Sequence, residues 1–157
     1  MWLCLVLWLG GILFFSAVEA PSVFKVLGAP DTLHFAADIV GRSLSALHYI
    51  GLACGVLFIL CALAVRELRG YLRTRNFVPE ITLVAIMLAL TLFSQFWITQ
   101  GIRLIRAANP QFEQMPPDSP QRQQFDRLHR YSTYTEATVL ILGIGVVVFT
   151  SRDLLRA

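Results

Sequence analysis

Long apolar runs separated by short charged stretches dominate the chain. Runs near Trp2 to Val18, Ser45 to Ala64, Ile81 to Ile102 and Thr133 to Thr150 are long enough to cross a hydrocarbon core of roughly 30 Å, which takes ~20 residues. An unpaired backbone is not tolerated in lipid, so each run is predicted to be a helix. Little chain is left for anything else. The expected fold is all-α: an integral membrane four-helix bundle, with residues 1–157 forming a single transmembrane domain.

The connections on one side carry patterns of their own. From Pro21 to Gly41, the apolar Val23, Val26, Leu27, Phe35, Ile39 and Val40 are interleaved with Lys25, Asp31, His34 and Asp38, with Arg42 just after. That spacing predicts short amphipathic helices lying in the interface. From Ala107 to Gln124, the prolines at 110, 116, 117 and 120 predict an extended loop that re-enters helix at Phe125. The first run has a second reading, because Val18-Glu19-Ala20 resembles a small-residue signal cleavage site. No basic residue precedes it and Pro21 would follow the cut, which favours a retained helix.

Composition agrees with the pattern: 56% of residues are hydrophobic and 15% charged, which excludes an ordinary soluble domain. Arg66, Arg69, Arg73 and Arg75 crowd the connection after the second run. The positive-inside rule places that connection, and with it both termini, in the cytoplasm of a bacterial inner membrane. Arg106, Arg122 and Arg127 on the opposite side weigh against it. The basic residues flank spans and form no separate domain, so nucleic acid is not an expected partner. The expected surroundings are the lipid bilayer and either a second copy or a membrane-complex partner.

A weak internal repeat is visible. Superposing Leu47-His48 on Leu128-His129 gives an offset of 129 − 48 = 81 residues, which also sets Phe15 opposite Phe96 and Glu19 opposite Gln100. Two related helical hairpins would produce it, as would chance in an apolar sequence.

Polar residues inside the spans carry the candidate chemistry. Thr91, Gln95, Thr99 and Arg103 recur every four residues, on one inclined helical stripe. His129, Thr133 and Glu136 share a face of the last helix. A carboxylate at position 136 must face the bundle interior or lose its charge, with Arg103, His48 and Gln95 as candidate partners. With Glu19, these residues form either a polar clasp or a pocket for a cation or proton. His48 and His129, each opening a span, have the residue types for bis-histidine haem or copper ligation if they converge. No haem attachment motif accompanies them, and the commoner outcome is no cofactor at all. Cys4, Cys54 and Cys61 lack metal-type spacing. Gly51 and Gly55 are spaced for close helix packing. Phosphate-cradling, nucleophile-elbow and zinc-helix motifs are absent, so no enzyme activity is expected.

Several segments together resemble a known family: Ala20-Pro21-Ser-Val-Phe24-Lys-Val-Leu27, Gly41-Arg42, Leu47-His48, Ile102-Arg103-Leu-Ile-Arg106 and Phe125-Asp-Arg-Leu128-His129-Arg-Tyr-Ser132. This set is similar to the transmembrane protein 205-like family, whose bacterial members are catalogued as a domain of unknown function. The resemblance covers nearly the whole chain and implies a small four-helix membrane protein without established enzymatic activity. A eukaryotic relative's association with platinum-drug resistance implies metal or solute handling. One departure stands out: relatives commonly place Asn where this chain has Glu136, which puts a shared ligand in doubt. The functional expectation is small-solute or metal-ion handling through a polar intramembrane pocket, with an accessory or scaffold subunit as the alternative.

Overall fold

The structure is a computed structural model that describes residues 1–29, 31–69, 78–109 and 112–155. Four helical rods are long and apolar enough to cross a membrane: Trp2–Leu27, Leu33–Val65, Val78–Ala108 and Pro120–Ser151. The first consists of α1 (Trp2–Phe14), a π-helical turn (Phe15–Glu19) and α2 (Ala20–Leu27). The second is α3 (Leu33–Arg69). The third repeats the interrupted design, with α4 (Val78–Phe93), a π-helical turn (Ser94–Thr99) and α5 (Gln100–Ala108). The fourth is α6 (Pro120–Leu155). No strand occurs among the described residues.

Packing closes the rods into a ring: α1 lies on α3, α3 on α4, α4 on α6, and α6 back on α1. The core is apolar and begins at α1, where Cys4, Leu5, Trp8, Leu9 and Ile12 form one buried stripe. Phe58, Val84, Met87, Val139 and Val146 meet it from the other three helices. Large apolar residues on the outer faces, such as Leu3, Val6, Phe96, Trp97 and Ile141, are exposed. In a soluble protein that surface would aggregate; here it is the lipid-contacting girdle.

Glycines set how closely the helices approach. A Cβ on Gly51 would run into the Trp8 indole, one on Gly143 into Leu9, and one on Gly55 would lie 2.6 Å from Leu88. Gly51 and Gly55 are therefore filled by neighbours within the bundle, rather than left as a bare stripe for another chain.

Two expected connections take a different form. The amphipathic residues of 21–41 are helical, but as continuations of the first and second rods, with only a short turn around Ala29 to Thr32 between them. The stretch expected as an extended loop contains a 3-10 turn, Phe112–Gln114, and α6 starts at Pro120 rather than Phe125. Proline at the first helical position needs no amide partner, which explains the early start. Pro110, Arg73 and Arg75 lie outside the described residues.

The two π turns bear on the repeat. Shifting Phe15–Glu19 by the 81-residue offset gives 96–100, which overlaps the second π turn at 94–99. Both hairpins thus carry a widened turn at nearly equivalent places in their first helix.

Candidate functional site

Three helices bring their polar residues together at one level. Nδ1 of His48, on α3, lies 2.8 Å from Oε1 of Gln95 in the second π turn. Nε2 lies 2.6 Å from Oε1 of Glu136 on α6. Ser94 reaches the same carboxylate oxygen at 3.4 Å, and Gln95 Nε2 lies 3.4 Å from the Tyr49 hydroxyl. The His48 side chain is 2% exposed and that of Glu136 14%.

With the Gln95 carbonyl oxygen opposite, Nδ1 of His48 is the donor, and Nε2 shares a hydrogen with the Glu136 carboxyl. The imidazole thus spends both ring nitrogens on side chains from two neighbouring rods, and a buried imidazole and carboxyl that face each other need neither lipid nor water as a partner.

The local helix geometry explains why so many polar groups face inward here. In a regular α-helix a residue every four positions drifts around the axis. The π turn adds a residue to one turn, and within it Ser94, Gln95, Ile98 and Thr99 are all buried. Arg103, one turn further on, is exposed and donates to Ser45 Oγ at 2.7 Å. Ser45 is buried and itself donates to the Gly41 carbonyl.

Other expected members lie elsewhere. His129 is exposed and stacks on Phe125, with ring centroids 6.1 Å apart. It lies seven residues before Glu136, about 10 Å nearer the aqueous end of α6, whereas His48 is level with Glu136. The shared Leu-His dipeptide thus does not mark a shared depth, and the two imidazoles do not converge. Both His48 ring nitrogens are engaged, so the bis-histidine haem or copper arrangement is not formed. Among the described residues, no group of three or more His, Cys, Asp or Glu side chains is placed to hold a metal ion. Thr133 is exposed and donates to the His129 carbonyl, outside the cluster. Arg103 bonds Ser45 rather than Glu136. Glu19 lies in a separate groove of about 250 Å3 between the first two rods, beside Phe15, Ser43 and Leu47.

Tyr49 and Ser94 join the site, and Ser45 the Arg103 contact beside it, without having been expected. Ser94 and Ser45 had a signal, each being polar within a run otherwise facing lipid or core. Phe112, 2% exposed, lies under the guanidinium groups of Arg106 and Arg122, at 5.8 and 5.0 Å from its ring centre, and Arg106 pairs with Glu113.

The family described as "Domain of unknown function (DUF4149)" matches residues 3–110. The chain belongs to that family. The matched residues carry His48, Tyr49, Ser94, Gln95, Thr99 and Arg103; Glu136, which completes the pair, lies beyond them. No curated protein and no solved structure matches the chain.

Proposed function

We propose that this member of the unknown-function family is a transmembrane protein 205-like protein of a bacterial inner membrane. In this reading it has both termini in the cytoplasm, no enzymatic activity, and a role in moving a small solute or cation in exchange for a proton at His48 and Glu136. The observation that carries it is the 2.6 Å contact between a buried imidazole and a carboxylate inside a spanning helix. Ionisable residues at such depth are costly and are found on ion pathways and proton relays. The hydrogen shared across that contact supplies the coupling: a cation reaching Glu136 displaces it as a proton, and the cation's departure restores it.

The test is proton flux in proteoliposomes loaded with a pH-sensitive dye, under imposed gradients of Na+, K+, Mg2+, Zn2+ and Ni2+. One cation should drive proton movement through the wild type and not through Glu136→Gln, which keeps a hydrogen bond to His48 without the charge. Wild-type vesicles that stay silent with every cation would remove the exchange reading.

A second reading, a non-catalytic accessory or scaffold subunit, is favoured by the closed packing around His48. There the same bonds serve as an interhelical clasp, each worth about 0.6 to 2 kcal/mol. It expects Glu136→Gln to leave every membrane function intact.

A further inference from the structure

Thr99 departs from the rule its neighbours obey. Thr91, Thr133, Thr135 and Thr138 each donate their hydroxyl to the carbonyl four residues earlier. Thr99 is 5% exposed and its Oγ1 has no hydrogen-bond partner among the described residues. It closes the π turn, where backbone bonds reach back five residues and the carbonyl four back is not presented in the usual way. Leaving a buried hydroxyl unpaired is costly. Thr150 Oγ1, the other such group, stands at the far end of α6.

The surroundings of Thr99 give its orphan hydroxyl a role. Ser45 precedes His48 by three residues, Thr99 follows Gln95 by four, and Ser132 precedes Glu136 by four. Because α3 and α6 run against the third rod, all three steps lead toward the same end of the bundle, by about 4.5 to 6 Å. Buried hydroxyls from three helices therefore stand at one level, on the side of the His48–Glu136 pair where the exposed Arg103 bonds Ser45. In the opposite direction the interior is lined mainly by Trp8, Phe58, Val84, Met87 and Val139; the buried Thr91 there spends its hydroxyl on the Met87 carbonyl, and Glu80 is buried further on.

We infer that this layer binds water at Thr99, and that this water is the route by which protons reach His48 and Glu136 from the Arg103 end alone. A buried water needs two to four polar partners; Thr99 Oγ1, Ser45, Ser132 and the loosened π-turn backbone supply them. The charged or titratable groups facing the pair are Tyr49 from α3 and Arg103 from α5. From α6, His129 and Arg130 point outward. The first rod brings Glu19 to this level, in its own groove beside Leu47 and Ile50, and Glu80 of α4 lies fifteen residues before Gln95. This rests on the pair being the proton site of the proposed function, but not on what is transported.

The experiment follows the His48 ring protons by 15N NMR of histidine-labelled, full-length protein in nanodiscs. The chain has only 3 histidines, and His48→Gln assigns the signal. Exchange of that proton with water should slow about tenfold in Thr99→Val, the size expected when one hydrogen-bonding step is removed. It should recover in Thr99→Ser and stay unchanged in Thr91→Val, one turn deeper. Equal rates in wild type and a folded Thr99→Val, or equal slowing by Thr91→Val, would overturn the route. Solvent exchange that depends on Thr99 in a protein showing no cation-coupled flux would support the water site while removing the transport reading, so the two fail separately.

Discussion

Each ring nitrogen of His48 is committed to a partner that lipid cannot replace, so truncation on either side strands a polar group. His48→Ala and Glu136→Ala should each lower stability by about 2 kcal/mol, and the double variant by clearly less than the sum. A double-mutant cycle of equilibrium unfolding in mixed micelles measures this, and strict additivity would show that the contact carries no energy. Gly51 is as constrained by shape as His48 is by hydrogen bonding. Gly51→Leu drives a side chain into Trp8 and should cost about 1–3 kcal/mol, read as an earlier thermal loss of the monodisperse species. At this scale much was legible beforehand. Glu136, Gln95, Thr99 and Arg103 stand out because polar side chains in an apolar run must be accounted for. The partnership was not legible: His48 and His129 look alike in sequence, and only the relative depth of two helices distinguishes them.

Between residues and bundle, the second π turn decides which side chains the third rod presents. The four-residue spacing of Thr91, Gln95, Thr99 and Arg103 was visible, but α-helical geometry converts it to a slanting stripe. A widened turn leaves no compositional mark, which is why Thr99's missing carbonyl was invisible. Trp97 sits in that turn, 71% exposed and without a core role. Deleting it should restore a regular α-helix and leave everything beyond on its present face, because the π turn already absorbs one extra residue. The Arg103–Ser45 bond would be kept, while the side chains within the turn are re-aimed and the His48 ring signal is displaced; an unmoved signal would mean that the turn does not set the site. The 110s connection shows the opposite failure. Its prolines predict an extended loop, whereas Phe112 anchors it between two arginines. Phe112→Ala should release it, with protease cleavage between Asn109 and Ser119 rising well before the spans unfold.

Across the whole molecule, four antiparallel rods put the turn at Ala29 to Thr32 and the 110s connection on one side, and both termini on the other. Reporter fusions should therefore report the same compartment at Met1 and at the last residue, and the opposite one at Thr32; positive-inside counting assigns the cytoplasm to the termini. The four spans were legible because apolar length is the strongest signal a membrane chain carries. Their continuation past the bilayer was not, since charged flanks look the same in loops and in protruding helix. That continuation has a mechanical consequence. The α3 helix is uninterrupted from Leu33 to Arg69, so its outer end is a stiff lever of about 22 Å, fifteen residues long, above His48. The third rod is jointed at the π turn that carries Gln95. A tug on the outer end of α3 would turn the imidazole as one piece with the lever while the carboxamide opposite stays with its joint. Force applied outside the membrane would thus be felt first as a change in the lengths of the two hydrogen bonds that His48 makes.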